Sequence, residues 1–416
     1  MSSDTTPPLV ELNLPESFPA WRLNVTRQQR LPLIAVVGTR GKSTVVRLID
    51  HIFRTAGVRT ATWTDTGVEV NGQPRPGELA PWQAALADLS TDIIDVAIQE
   101  LDWPLMQAVG LPEGVYPVLA ATNICGNSDV CLAHDEARLA LDAYPKALQA
   151  LADDGLLVVN AEDYAIAGPA EAAGKATILV GQRPDTPLLR HHLERGGIGA
   201  WTSNDTLRLG SHHHHDGIVA LSRLGFALHG AATFEIQDAL LAAAVATGCG
   251  IDITTIGKAL CLVPESGAEA LVPGSFNVVR LGQRIAVIER PLPSWFLKPV
   301  LRALAAHGKG RLIAMLGSPT AVPADDLIEI GRLLGRSSAA IVLDAAVWEQ
   351  EQSSLIKQGV VQNDVPPVLI HVSNQERGVN RALKLAGRED TVLFLSEEPA
   401  SILSQLRDEG SLPQAS

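Results

Sequence analysis

The feature that most constrains this chain is an apolar run that ends in a glycine-containing turn and continues as an amphipathic segment. The run covers residues 31–37, the turn covers 38–43, and apolar residues then recur at helical spacing as far as Phe53. This order predicts a strand, a loop and a helix. Such a unit is typical of a layered α/β domain.

The turn has the composition of a phosphate-binding loop. Gly38 and Gly41 allow backbone N–H groups to approach an anion closely, and the positive end of the helix dipole lies beside them. Lys42 supplies a positive charge, and Ser43 supplies a hydroxyl that can bind Mg²⁺. The full Walker spacing is not met, because Val36 stands where its first glycine belongs. The alternative interpretation is an ordinary strand-to-helix turn.

Length and charge exclude some classes of function. The chain has 416 residues, of which 46% are hydrophobic, so two or three domains with their own cores are expected. Its net charge of −13 argues against a nucleic-acid-binding protein. We find neither a signal peptide nor an apolar run of membrane-spanning length, so a cytoplasmic protein without a membrane partner is expected.

The four cysteines form no recognisable framework. Four cysteines are too few for a disulfide scaffold in a chain of this length, and their spacing is not that of a zinc site; they are Cys125, Cys131, Cys249 and Cys261. They are therefore interpreted as small buried apolar side chains with reduced thiols.

Strand and helix patterns alternate along most of the chain. From residue 31 to about 180 they predict a mostly parallel sheet covered by helices, including a helix at about 81–89. Ligands bind such sheets at the carboxyl ends of the strands, where Gly38, Glu100 and Asn123 are expected to lie. A hairpin-like section spans 196–230, a buried helix spans 234–247, and a second alternating region begins near 273. We predict an N-terminal arm (1–30) and two domains (31–270 and 271–416).

Several stretches resemble the Mur ligase superfamily and, within it, the C-terminal Mur-ligase-like module of cyanophycin synthetases. Besides the loop at 38–44, they are 64–72, 96–100, 122–124, 158–163, 192–197, 229–243 and 273–277. They occur in the order found in the family. The resemblance implies a central P-loop domain with a mostly parallel sheet, followed by a Rossmann-like α/β domain. The ATP-grasp half of cyanophycin synthetase is not recognisable here.

The resemblance also implies a reaction and its residues. Members of the family use ATP and Mg²⁺ to join a carboxylate substrate to an amino acid or amine through an acyl phosphate. Lys42 would contact the β- and γ-phosphates, and Ser43 and Glu100 would hold Mg²⁺. An ordinary solvated carboxylate is the alternative for Glu100. The residues that would bind the nucleotide phosphates are Gly38, Thr39, Arg40, Gly41, Lys42, Ser43 and Thr44.

The chain departs from the family pattern near the second metal site. Where relatives carry an Asp-His pair after Asn123, the sequence reads Cys-Gly-Asn-Ser-Asp at 125–129. His134 and Asp135 are candidates to replace that pair, although a lone helical histidine is more often structural. Lys146 falls in the helix where many relatives have a carbamylated catalytic lysine. A surface lysine is the alternative interpretation.

Other departures concern the nucleotide base and the second domain. Glu235 and Asp238 replace the two asparagines that contact adenine in relatives, and a carboxylate cannot donate to adenine N7. Ser275 replaces an arginine, and residues 289–294 replace an Asp-Tyr-Ala-His-Asn-Pro turn. A histidine run at 212–215 is interpreted as a solvated loop.

The sequence therefore leaves two functions open. The first is an ATP-dependent amide ligase, and the second is a catalytically degenerate homologue that binds nucleotide or a partner and acts as a regulator or scaffold. A homo-oligomer is compatible with both.

Overall fold

A computed structural model describes residues 33–408, apart from 76–93, 112, 265–271, 273, 318–321, 345–347 and 349. The predicted arm at 1–30 and the predicted helix at about 81–89 lie outside the described residues. The chain divides into two compact units. One contains the described residues up to Leu224 together with Phe234–Val263, and the other contains Gly225–Thr233 and the described residues from Pro264 onward. The domains 31–270 and 271–416 remain our proposal.

The first unit is built on a sheet that contains eleven described strands. They are β1 (Leu33–Val37), β2 (Thr60–Thr64), β3 (Gly67–Val70), β4 (Gln73–Arg75), β5 (Val96–Leu101), β6 (Tyr116–Ala121), β7 (Leu151–Asn160), β8 (Ala176–Val180), β9 (Ile198–Ser203), β10 (Thr206–Gly210) and β11 (His215–Ala220). Their order is β11-β10-β9-β8-β7-β6-β1-β5-β2-β3-β4.

The centre of this sheet is parallel, as the alternating pattern predicts. Strands β9, β8, β7, β6, β1, β5 and β2 run in the same direction, and antiparallel strands extend the sheet at both ends. Every residue of β1 is buried, which is expected of a strand covered on both faces. Helices in this unit include Lys42–Thr55, Trp103–Val109, Asp129–Leu132, Asp135–Ala150, Tyr164–Ala172, Pro187–Glu194, Thr233–Gly248 and Ile253–Leu262.

The second unit has its own sheet and core. Its strands are β12 (Asn277–Leu281), β13 (Arg284–Glu289), β14 (Leu312–Leu316), β15 (Ala340–Asp344), β16 (Val368–Val372) and β17 (Thr391–Leu395), in the order β12-β13-β17-β14-β15-β16. Only the pairing of β12 with β13 is antiparallel among these strands. The helices are Ser294–His307, Leu327–Ser337, Gln350–Val360, Gln375–Leu385 and Pro399–Asp408.

The mixed α/β architecture is confirmed, but several short elements were not predicted. Six of the described helices were missed: Trp103–Val109, Asp129–Leu132, Tyr164–Ala172, Pro187–Glu194, Ile253–Leu262 and Gln350–Val360. They are four to eleven residues long, and three of them contain proline, so their apolar periodicity is weak. The β3–β4 hairpin was also missed. In the described part of the chain, no helix has the length and apolar content needed to cross a membrane.

Candidate functional site

The glycine-containing loop leaves the carboxyl end of β1, between β5 and β6 in the sheet. Gly41 precedes the helix Lys42–Thr55 with a φ of 82°, a left-handed conformation that glycine adopts without strain. Gly38 has a φ of 147°, and a Cβ there would lie 1.8 Å from Thr122 Oγ1. Both glycines are therefore required by the conformation and close packing of the loop.

Residues at the end of β6 hold one side of the loop. The backbone N–H of Thr39 donates to Asn123 O at 2.8 Å, and that of Arg40 donates to Asn123 Oδ1 at 3.2 Å. Asn123 Nδ2 and Thr122 Oγ1 donate to Arg40 O at 3.0 and 2.6 Å. The loop is thus fixed by the neighbouring strand. The first N–H groups of the following helix, which have no acceptor within the helix, are the donors suited to an anion.

Lys42 and Ser43 converge on Glu100, which lies at the carboxyl end of β5. Lys42 Nζ is 3.3 Å from Glu100 Oε1, and Ser43 Oγ donates to Glu100 Oε2 at 2.7 Å. The Lys42 and Glu100 side chains are only 11% and 5% exposed. Burial raises the pKa of the Glu100 carboxyl, against the opposing effects of Lys42 and Ser43. A second cation at this position would therefore stabilise the ionised form of Glu100.

Two further carboxylates lie in this cluster and were not predicted as site residues. Asp102 Oδ1 is 3.3 Å from Lys42 Nζ, and Asp65 Oδ1 is 3.4 Å from Ser43 Oγ. They directly follow the neighbouring parallel strands β2 and β5, so the rule that placed Glu100 at this edge of the sheet could have found them. Oxygen atoms of Ser43, Glu100 and Asp65 are the kind of ligand that Mg²⁺ prefers. In the described ranges, no three His, Cys, Asp or Glu side chains form a metal-binding group. Water and nucleotide oxygens would have to complete the shell.

Glu235 and Asp238 are buried on the helix Thr233–Gly248. The Asp238 carboxylate packs against the glycine-containing loop at 38–43, named the phosphate loop here for its composition: a Cβ at Gly41 would lie 2.5 Å from Asp238 Oδ1. Burial, followed by the charge of Glu235, raises the pKa of the Asp238 carboxyl well above its ordinary value. Asp238 thus borders the loop itself. The expected contact of these two residues with adenine stays a prediction.

Known proteins resemble this chain in sequence and in fold. No family model matches the chain. The cyanophycin synthetase of Trichormus variabilis is 24% identical over 400 residues, which are 92% of this chain and 43% of that protein. The chain therefore spans less than half of the length of these relatives. The Escherichia coli FolC structure with DHPP and ADP superposes with a TM-score of 0.66 at 16% identity, covering 96% of this chain and 94% of FolC.

This chain is therefore similar in sequence to cyanophycin synthetase and has the fold of the Mur ligase and FolC structures. A pseudomurein peptide ligase type C from Methanothermus fervidus has the same fold, with a TM-score of 0.60 at 16% identity over 91% of this chain and 79% of that one. This chain is also 33% identical to the UDP-N-acetylmuramoylalanine--D-glutamate ligase of Streptomyces coelicolor over 97 residues, which are 20% of this chain and 21% of that protein.

The lysine that the Mur ligase resemblance singles out lies on the helix Asp135–Ala150. Lys146 Nζ donates to Gln107 Oε1 at 2.7 Å, in the helix Trp103–Val109. Among the contacts of the described residues, none joins Lys146 to the phosphate loop. Its catalytic role stays a prediction. The histidines at 212–214 lie between β10 and β11, His215 begins β11, and all four are exposed.

The loop that departs from the Mur ligase pattern contains a disulfide. Cys125 and Cys131 are bonded to each other, so the interpretation of all four cysteines as reduced apolar side chains is wrong. Cys249 is buried and Cys261 is half-buried, and both are free. Sequence spacing did not reveal the bond because the two cysteines approach only through the turn at 126–128 and the short helix Asp129–Leu132.

Proposed function

We propose that this protein is an ATP-dependent ligase that joins a carboxylate substrate to an amino acid or amine. The observation that carries the proposal is the convergence of Lys42 and Ser43 on the buried Glu100, beside a glycine loop that opens a helix. Such a cluster supplies the charges and donors that bind a nucleoside triphosphate. The similarity to cyanophycin synthetase supports an amide-forming reaction.

The proposed nucleotide site uses the loop residues Gly38 to Thr44. The backbone N–H groups at the start of the helix would cradle the phosphates, and Lys42 would neutralise the β- and γ-phosphates. Ser43 and Glu100, together with Asp65, would hold Mg²⁺. The metal would reduce the repulsion between the triphosphate and an incoming carboxylate.

The reaction proceeds in two transfers. A carboxylate oxygen of the first substrate attacks the γ-phosphorus of ATP, the bond to the β,γ-bridging oxygen breaks, and ADP leaves. The neutral amine of the second substrate then attacks the acyl carbon of the acyl phosphate. Inorganic phosphate leaves, and the amine loses a proton to give the amide. Lys42 would serve the first step, because beside the β- and γ-phosphates it would offset the negative charge that accumulates there.

One observation favours the second candidate, a degenerate homologue that binds nucleotide without ligating. In the turn that replaces the Asp-Tyr-Ala-His-Asn-Pro motif, the Glu289 carboxylate accepts from Phe276 N at 2.8 Å and from Arg290 N at 2.9 Å. Glu289 is buried and engaged in backbone contacts, which makes it unsuited to bind a substrate. Under this alternative, nucleotide binding serves regulation or the recruitment of a partner.

The experiment that separates the two candidates measures phosphate release. Purified protein is incubated with Mg-ATP and pools of amino acids and short acidic peptides, with each pool also supplied alone. Release that requires both a carboxylate and an amine supports the ligase. ATP binding without turnover in every combination contradicts it and supports the degenerate homologue.

The cytoplasm, where ATP is present, is the proposed location. The Cys125–Cys131 disulfide weighs against it, because cytosolic thiols are normally kept reduced. Thiol titration of denatured protein purified from the native source without reductant would decide the oxidation state: two reactive thiols indicate the disulfide, and four contradict it.

A further inference from the structure

Asp163 connects the loops at the carboxyl ends of three neighbouring strands. It follows β7, which pairs with β6, and β6 pairs in turn with β1. Its side chain is buried, with 1% of the residue exposed. Asp163 Oδ2 accepts from three successive backbone N–H groups of the loop after β6, at 2.7 Å from Ile124, 3.0 Å from Cys125 and 2.9 Å from Gly126.

Three N–H groups that converge on one oxygen form a nest for an anion, and here the anion is part of the protein. The other carboxylate oxygen, Oδ1, accepts from Ala165 N at 3.1 Å and caps the helix Tyr164–Ala172. Both oxygens are therefore used, and the carboxylate is tied to a rigid helix end. Removing it would leave three converging donors without their acceptor.

Asn127 adds a second link between the same two loops. Its Nδ2 donates to Glu162 O, and its Oδ1 accepts from Tyr164 N at 3.0 Å. The Cys125–Cys131 disulfide closes the same segment. The residues 124–127 are thus held by contacts from residues 162–164, which follow β7, and by the disulfide to Cys131.

The residue directly before this segment is Asn123, which holds the phosphate loop. Its main-chain oxygen and side-chain amide make hydrogen bonds to Thr39 and Arg40. The path from Asp163 to the phosphate loop is therefore continuous. The Asp163 carboxylate binds the backbone of 124–126, that backbone continues into Asn123, and Asn123 binds the backbone of 39–40. A shift of the first member displaces the last, because the members are joined by peptide bonds and by hydrogen bonds of 2.7 to 3.2 Å between buried or half-buried groups.

We propose that Asp163 is a positioning residue of the nucleotide site, which sets the geometry of the phosphate loop through Asn123. This inference rests on the proposed nucleotide binding and assigns Asp163 no contact with the nucleotide. Asp163 ends one of the stretches that resemble the Mur ligases, but its link to the loop was not predicted, because it lies 123 positions after Arg40.

The test compares Mg-ATP affinity by calorimetry in four proteins: wild type, Asp163→Asn, Asn123→Ala and the double variant. Asparagine keeps the shape of the side chain but removes its charge. We expect losses of about fivefold for Asp163→Asn and about tenfold for Asn123→Ala, since small displacements of binding groups have effects of this order. If Asp163 acts through Asn123, the double variant loses about tenfold rather than about fiftyfold.

The matched control is Asp95→Asn, which alters a buried carboxylate in the same sheet at the opposite ends of the strands. Asp95 accepts from the Arg59 backbone and side chain. This variant should lose thermal stability without losing Mg-ATP affinity. Independent effects that multiply in the double variant, or an Asp163→Asn affinity equal to that of the control, would overturn the inference.

Hydrogen exchange separates this inference from the proposed function. In the protein without nucleotide, Asp163→Asn should speed exchange of the Thr39 and Arg40 amides, while Asp95→Asn should leave it unchanged. If wild type binds no Mg-ATP, the proposed function fails and the exchange result alone decides the role of Asp163. Unchanged protection of both amides in Asp163→Asn contradicts that role.

Discussion

Strand β5 has a carboxylate at each end, and the two are in opposite electrostatic situations. Asp95, just before the strand, accepts from the Arg59 backbone N–H at 2.9 Å and from Arg59 Nη2 at 2.5 Å. Burial alone would raise the pKa of the Asp95 carboxyl, but the hydrogen bonds and charge of Arg59 outweigh it, so the pKa lies below its ordinary value. Glu100, near the other end, has a raised pKa despite Lys42.

The second unit repeats the arrangement at the amino ends of its strands. Asp390, directly before β17, accepts from Arg311 N at 2.8 Å and from Arg311 Nη2 at 2.7 Å, where Arg311 directly precedes β14. A matched arginine and aspartate that join neighbouring parallel strands are therefore a structural device. The carboxylates at the other end of β5 are arranged differently, since Lys42 is surrounded by Glu100 and Asp102.

The comparison shows how a stabilising ion pair differs from a binding site. At Asp95 the protein supplies enough donors to favour the ionised form. At Glu100 burial outweighs the cation that is present, so the site gains stability when more positive charge arrives. This is the electrostatic state expected of a carboxylate that binds a metal ion.

The largest effect is expected from a substitution that breaks the cluster at the carboxyl end of β5. Lys42→Ala removes the cation that is proposed to contact the phosphates, and Mg-ATP affinity measured by calorimetry should fall about a hundredfold, which corresponds to about 2.7 kcal/mol. Lys175→Ala, which removes the partner of the exposed Asp153, is the control and should bind as wild type does. Unchanged affinity in Lys42→Ala would exclude the loop as the nucleotide site.

Glu100→Gln should weaken the site without weakening the fold. The amide oxygen still accepts from Ser43, but the negative charge that would hold Mg²⁺ is lost. We expect the Mg²⁺ concentration needed for half-maximal ATP binding to rise about tenfold. The melting temperature should not fall, because a neutral side chain avoids the cost of a buried charge. A lower melting temperature with unchanged Mg²⁺ dependence would make Glu100 a structural residue.

Asp95→Asn should weaken the fold without weakening the nucleotide site. It removes the charged partner of Arg59, whose side chain is 51% exposed, so we expect a loss of about 1 kcal/mol in the free energy of unfolding. Urea denaturation measures this loss, and Mg-ATP affinity should stay within about twofold of wild type. Weaker nucleotide binding in Asp95→Asn would mean that the two ends of β5 are coupled.

The sequence predicts the central part of the fold and of the site for the same reason. Buried parallel strands are continuous apolar runs, and the residues that follow them, such as Gly38, Glu100 and Asn123, must lie at one edge of the sheet. Lys42 and Ser43 were recognisable from local spacing alone. The convergence of Lys42, Ser43 and Glu100 is what this reasoning expects.

Other site residues depend on tertiary contacts that the sequence does not encode locally. Asp65 reaches Ser43 from the turn between β2 and β3, a hairpin that was not predicted. Asp163 acts on a segment 37 to 39 positions earlier in the chain. The contact of the Asp238 carboxylate with Gly41 was not predicted, because it depends on how the helix Thr233–Gly248 packs against the loop.

The smallest expected effect is a difference in pH dependence between the two ends of β5. The pKa of Asp95 is lower in the folded than in the unfolded protein, where it is near 3.8. Its contribution to stability is therefore present above that value and is lost as the pH falls through the folded pKa. The pKa of Glu100 is raised above its ordinary 4.5, so the wild type loses stability relative to Glu100→Gln as the pH rises from about 4.5 through the folded pKa.

Urea denaturation of wild type, Asp95→Asn and Glu100→Gln across this pH range measures how the free energy of unfolding of each protein changes with pH. As the pH rises, the stability of wild type relative to Asp95→Asn should increase to a plateau just above pH 3.8, whereas its stability relative to Glu100→Gln should decrease. Both changes should be smaller than the nucleotide-binding effects, because each involves one group. Equal signs for the two variants would mean that Lys42 pairs with Glu100 as completely as Arg59 pairs with Asp95. The carboxyl end of β5 would then be a structural ion pair, with no electrostatic demand for a ligand.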